Sequence, residues 1–251
     1  MSNEFRTLLL GGSGKLGQKI IESGFFPNLY SPDRDLCDLN NKLSIDNLVF
    51  NFKPSHIINC AALARRKICE NDPKSAISNN IIGTANLVQS VLAFSELGKG
   101  PRLLHISTDA VYYCSNGNYD EYDPTIPICN YGWSKLGAEC SIRLIQDSLI
   151  VRTRFYDPAE IPFDDAAKDI FTSSISIYKL VDYLHRLLFL DNVGVINIGD
   201  KRDSDFNKYR AHKPQLIESD LNSVQKESSL PFCNDYSLSL KRLYDLLGDQ
   251  L

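Results

Sequence analysis

What this chain lacks narrows its function before any motif is read. It has no basic run: 27 Lys and Arg stand against 31 Asp and Glu, for a formal net charge of -4. No nucleic acid and no anionic membrane surface is therefore expected as a partner. No apolar stretch approaches the length of a membrane span. Met1-Ser2-Asn3-Glu4 runs into an apolar segment without the charged and apolar regions of a secretion signal. The seven cysteines (37, 60, 69, 114, 129, 140 and 233) form no Cys-x-x-Cys pair and no Cys/His cluster at zinc spacing. Neither a metal site nor a disulfide framework is expected, and free thiols in a reducing cytoplasm are. Internal repeats and low-complexity tracts are absent too.

What is there begins with enough apolar residues, 43% of 251, for one sizeable core. Phe5 to Leu10 is a near-continuous apolar run, as expected of a central parallel strand buried on both faces. Gly11-Gly12-Ser13-Gly14-Lys15-Leu16-Gly17 follows, then an amphipathic stretch closing at Gly24. Glycines at 11, 14 and 17 permit a tight turn, backbone approach to a pyrophosphate and close packing of helix on strand. The anion would sit on the free amides of the helix N-terminus, at Lys15 and Leu16. This predicts a dinucleotide site.

Asn28 to Tyr30 reads as a second strand, running into "SPDRDLCDL". The end of that strand addresses the adenosine ribose, with an acid for NAD and an arginine for the 2′-phosphate of NADP. Asp33 and Arg34 stand side by side, so the choice stays open; NADP(H) is put ahead of NAD(H). Asp38 and Leu39 are placed near the adenine. Ser55 to Cys60 is the next strand, and Cys60-Ala61-Ala62 a small-residue turn where backbone can pass close to the cofactor. Arg65-Arg66-Lys67 is either a phosphate contact or a solvated turn. Asp72-Pro73 opens a long helix containing Asn80. Further strands are expected before Thr108, over 149–152 and over 194–198, and a helix over 175–190. Strand and helix alternate through residue 152, which predicts a doubly wound α/β Rossmann sheet. Residues 1–155 are expected to form the dinucleotide-binding domain. Residues 156–251 would form a small, abridged substrate-binding part, with 175–198 rejoining the sheet. Residues 157–169 and 200–213 read as loops. The four histidines do not cluster.

The chemistry concentrates between His105 and Lys135, "HISTDAVY…YGWSK". Tyr131 and Lys135, four apart, share one helix face. An ammonium beside a phenol favours the phenolate, so Tyr131 is expected to ionise below its usual ~10. It could then donate a proton to a carbonyl, with the Thr108 hydroxyl on the same oxygen.

These pieces, "GGSGKLG", "DLCD", "NCAA", "NNIIGTANL", "HISTDAVY", "YGWSKLGAE" and "VRTRFY", resemble the extended short-chain dehydrogenase/reductases, and within them the dTDP-4-dehydrorhamnose reductase group. The resemblance implies a cytoplasmic NAD(P)H-dependent reductase of a 4-keto-6-deoxy sugar nucleotide, serving polysaccharide biosynthesis, as a homodimer. It implies Thr108, Tyr131 and Lys135 as the catalytic trio. Tyr131, Lys135 and Asn80 would contact the cofactor; Asp109, Ala110, Arg154 and Phe155 would face the sugar. Related 4,6-dehydratases carry Thr-Asp-Glu where this chain has Thr108-Asp109-Ala110, so the base for water elimination is missing. Dual epimerase-reductases place a cysteine at the position of Asp109, and Cys114 is five residues away.

The departures fall in the sugar half. "AALARRK" replaces the group's "AAYTAVDK", Phe155 replaces a tryptophan, Leu230-Pro231 replaces Arg-Pro, and the segment between Tyr156 and Phe171 is short. Two rivals therefore stand beside the reductase. One is a non-catalytic dinucleotide-binding regulatory subunit, like the β subunit of methionine adenosyltransferase. The other is an epimerase that retains its NAD.

Overall fold

The computed structural model describes residues 5–190, 194–227 and 232–248. Met1 to Glu4 and the Leu230-Pro231 pair lie outside the described residues. Six strands form one sheet: β1 (Thr7–Leu10), β2 (Leu29–Tyr30), β3 (His56–Asn59), β4 (Arg102–Ile106), β5 (Ser148–Thr153) and β6 (Gly194–Ile198). Their order is β6-β5-β4-β3-β1-β2, with every pairing parallel. Residues 194–198 thus join the sheet as its edge, beside β5.

Continuous apolar strands are what a sheet covered on both faces requires. Leu9, Ile58, Leu104, Leu149, Val151 and Ile196 point to one face, where helix α1 (Lys15–Ser23) lies with the helix Ile177–Leu188. Their neighbours Leu8, Leu10, Ile57, Leu103 and Ile150 point to the other, onto α2 (Lys42–Phe52) and two helices from later in the chain. Each fully buried aliphatic side chain contributes about 1.5–3 kcal/mol over exposure. The chain reverses its winding between β1 and β3, and the crevice beyond their carboxyl ends is where such sheets take ligands.

After β3 come α3 (Arg66–Asn71) and a continuous helical run, α4, over residues 73–95. The Asp72 carboxylate caps α4 by accepting the Ser75 N–H, and Pro73 opens it. Inside α4, Ile77–Ile82 widens to a π-type turn, which the periodicity did not announce. Helix α5 (Asn130–Ile142) carries Tyr131 and Lys135 and packs on α4.

The C-terminal part is more ordered than its polar sequence implied. Asp165–Ala167, expected as loop, pairs with Ile217–Ser219. Asp205–Arg210, also expected as loop, is a helix, because the Ser204 hydroxyl accepts the Asn207 N–H at its start and Phe206 and Tyr209 bury one face. The 175–190 helix starts later than expected, at Ile177, since Ile175–Ser176 pairs instead with Phe155–Tyr156.

Candidate active site

The crevice at the β1/β3 ends is a cleft of about 280 Å³, floored by the glycine turn and walled by Pro32, Arg34, Asp38, Leu39 and Cys60 to Leu63. Gly11 sits at φ +83°, and a Cβ there would lie 2.6 Å from the Ala61 amide nitrogen. A Cβ at Gly17 would drive into the Gly11 carbonyl and 2.6 Å from the Gly12 Cα. Only glycine fits at either position. Gly14 caps α1 with no side-chain bond and no acid in the first turn, so the amides of Lys15, Leu16 and Gly17 remain available to an anion. These residues fit a dinucleotide: the backbone is bared where a pyrophosphate would lie.

At the end of the cleft beyond β2, Arg34 is exposed and pairs loosely with Asp38 at 3.6 Å. The Asp33 carboxylate accepts the Leu36 N–H, and that of Asp38 also accepts the Asn40 N–H. The Lys15 ammonium reaches over to Glu160 at 3.1 Å. Arg65 and Lys67 are exposed and line no part of the cleft.

Tyr131 and Thr108 meet. The Thr108 hydroxyl is close enough to the Tyr131 phenol to lower its pKa; its own proton goes to the Asp109 carboxylate at 3.2 Å, and it accepts the Ala110 N–H while capping a short turn at Asp109–Val111. The expected acidic phenol is not found. Burial raises the Tyr131 pKa above its ordinary value, and the Thr108 hydroxyl only partly opposes this. Lys135 does not offset this: its Nζ is 3.3 Å from Nε2 of His105, and burial lowers its own pKa to about 8.

Other expected site residues have partners within the protein. Asn80 does not face the cleft: its Oδ1 accepts the Leu63 N–H, and its Nδ2 donates to the Leu63 carbonyl and the Ser134 hydroxyl. It braces the cleft wall, with both of its amide protons taken up within the protein. Asp109 is 2% exposed and holds Arg154 at 2.6 Å, while the Arg154 guanidinium lies over the Tyr236 ring. The two residues expected to face a sugar thus face each other, tying β5 to the C-terminal part. Phe155 is half-buried and packs against the sheet core. Ala110 remains partly exposed beside Gly132, where a Cβ would strike its carbonyl.

Residues 5–157 match the family model described as RmlD substrate binding domain. The chain belongs to that family. It is 32% identical over 154 residues to dTDP-4-dehydrorhamnose reductase of Aggregatibacter actinomycetemcomitans, covering 59% of this chain and 50% of that protein. It is 27% identical over 146 residues to methionine adenosyltransferase 2 subunit beta of Bos taurus, covering 55% of this chain and 42% of that one. The chain thus spans about half the length of the curated relatives it matches. The fold is that of the Bacillus anthracis dTDP-4-dehydrorhamnose reductase solved in complex with NADP: TM-score 0.87 at 22% identity, over 98% of this chain and 94% of that one. It is also that of Thermus thermophilus UDP-glucose 4-epimerase in complex with NAD, with TM-score 0.77 at 17% identity over 96% and 92%.

Around this family site lie side chains that spacing did not single out. Glu139, eight residues after Tyr131 on α5, takes a bidentate ion pair from Arg152 (3.1 and 2.7 Å) and a hydrogen bond from the Ser107 hydroxyl. Arg152 continues to the Tyr112 phenol at 2.8 Å. The network pins α5 to the strand ends that carry Thr108. Its one sequence signal is a charged residue in an apolar strand, "LIVRT".

Proposed function

We propose that the chain is a reductase of a 4-keto-6-deoxy sugar nucleotide, using NADPH in preference to NADH. The observation that carries this reading is the Tyr131 phenol, next to the Thr108 hydroxyl and one helical turn from Lys135, beside a cleft shaped for a dinucleotide. When bound, the cofactor supplies the hydride. Gly11, Gly14, Lys15, Leu16 and Gly17 would hold its pyrophosphate through backbone amides. Cys60, Ala61 and Ala62 would pass its ribose, and Asp38 and Leu39 its adenine. Arg34 favours the 2′-phosphate, because the carboxylates of Asp33 and Asp38 are already engaged by backbone amides.

A raised pKa suits Tyr131 to this direction of reaction. The phenol stays protonated at neutral pH, as a proton donor to a carbonyl must. Thr108 orients the shared oxygen, and Lys135, as an ammonium, would restore the proton to Tyr131. Ala110 and Phe155, with the Asp109–Arg154 pair, would border the sugar. The trio of side chains is more than a regulatory subunit requires, and no second acid or base stands in the place of Ala110 for elimination. Seven free thiols accord with a cytoplasmic location. The exposed apolar side chains Ile77 and Ile82 of α4 and Trp133 of α5 accord with a homodimer.

The test is oxidation of NADPH and of NADH against a small panel of keto-sugar nucleotides. Tyr131→Phe is expected to lower turnover by about 10²–10⁴-fold while NADPH still binds. Retained turnover would remove Tyr131 from the mechanism. Binding of NADPH with no turnover on any sugar would favour a regulatory subunit.

A further inference from the structure

His105 lies at the centre of a buried hydrogen-bond chain whose polarity can be read from one end to the other. Sheet register sets Asn59 of β3 directly opposite His105 of β4. Helix α5 then lays Lys135 over the imidazole. All three side chains are buried, at 0% exposure for Asn59 and His105 and 3% for Lys135.

The amide of Asn59 has one orientation. Its Oδ1 accepts the Ala61 N–H at 3.1 Å, a group that can only donate. The other end of the amide, Nδ2, therefore faces His105 Nδ1 at 3.1 Å. An NH₂ can only donate, so Nδ1 of His105 is an acceptor and carries no proton. Burial holds the imidazole well below its ordinary pKa, so it is neutral, and its single proton sits on Nε2. That N–H points at Lys135 Nζ, 3.3 Å away. An ammonium has no lone pair to receive it; an amine has one.

From this geometry we infer that Asn59 and His105 are positioning residues that turn an N–H toward Lys135 and so favour its neutral amine over the ammonium before cofactor and substrate arrive. The other titratable groups facing Lys135 are Cys60 at the end of β3 and Glu139 on its own helix. Both act toward the ammonium. Cys60, however, is a buried thiol pushed up to about 12 and stays uncharged at neutral pH, and Glu139 is already covered by the bidentate Arg152. Protonating Lys135 then requires the imidazole proton to move from Nε2 to Nδ1 and the Asn59 amide to turn, which costs Ala61 its acceptor. Ala61 lines the dinucleotide cleft. The proton that Tyr131 draws on is thus loaded through a chain ending in the cofactor wall.

The consequence for turnover rests on the role proposed above for Lys135. The polarity itself does not, so it is measured on the cofactor-free protein. Long-range ¹H–¹⁵N correlation of the histidine rings at pH 9, above the Lys135 midpoint of about 8, with the His105 signals assigned by their loss in His105→Gln, should show a bare Nδ1 and a protonated Nε2. A protonated Nδ1 would overturn the inference. Lys135→Met should leave that tautomer unchanged, because Asn59 dictates it; a switch would mean that the lysine does, and would also overturn it. Asn59→Asp supplies acceptors at both oxygens. It should move the ring proton to Nδ1 and raise the Lys135 titration midpoint, followed at ¹³Cε, by about one to two pH units. An unmoved tautomer in that variant refutes the account, and if the variant does not fold, the wild-type and Lys135→Met tautomers still decide. Failure to bind NADPH would sink the reductase reading and leave these ring shifts untouched.

Discussion

Replacing Lys135 with methionine should make the protein more stable at neutral pH while removing its proposed chemistry. The side chain is 3% exposed, and burial brings its pKa from 10.5 to about 8. At about 1.4 kcal/mol per tenfold change, that drop is a cost of about 3 kcal/mol for holding the ion in the folded state at pH 7. Methionine matches the length of the stem and carries no charge. Glu139 keeps its two bonds from Arg152, but the buried Nε2 of His105 loses its partner, which costs about 1–3 kcal/mol. A net gain of about 1 kcal/mol corresponds, for a domain of this size, to a melting temperature higher by about 2–4 °C.

The sign of the pH dependence follows from which state holds the proton. Between pH 8 and 10.5 the unfolded chain binds a proton that the native protein has released, so wild-type stability gains from this residue as pH rises. The advantage of Lys135→Met is therefore full below pH 8 and vanishes above 10.5. Urea unfolding of both proteins at pH 7 and at pH 10.5 reads it directly. A variant less stable at pH 7 would refute the reasoning, as would an advantage of equal size at both pH values, which would be packing and not charge.

Glu139→Ala should cost about 3–5 kcal/mol in urea unfolding, because it strands the Arg152 guanidinium, 1% exposed, without its carboxylate. Gly11→Ala should cost about 1–3 kcal/mol from backbone strain at φ +83°, and fluorescence titration should show NADPH binding weakened as the new Cβ displaces the Ala61 wall. Arg34→Ala should raise the Kd for NADPH about tenfold, one charge-assisted bond, and leave that for NADH unchanged. Equal losses for both cofactors would remove Arg34 from the 2′-phosphate.

The parts of this molecule that were legible in the sequence are those governed by neighbours along the chain. "TLLL" followed by "GGSGKLG" announces a buried strand, a turn and a helix, because side-chain size and backbone sterics act within a few residues. Thr108 and Tyr131 could be expected to meet, because each sits where a strand or helix of plain pattern delivers it. The partners of Asn80 were not legible, because its position on α4 says nothing of Leu63 and Ser134, which take up its amide. The Asp205–Arg210 helix was missed because a short polar run is stabilised by a cap and by two aromatic anchors, not by periodicity.

By itself, then, the sequence determined the alternation of strand and helix, the two-faced burial of the sheet and the glycine cradle, since each is enforced by local sterics and apolar spacing. Only the tertiary structure decided who holds Lys135, how far burial loosens its proton and why Tyr131 is a stronger base than its neighbour implied. Those properties depend on desolvation and on partners 30 and 46 positions apart, Lys135 to His105 and His105 to Asn59, which come together only once the parallel register is set.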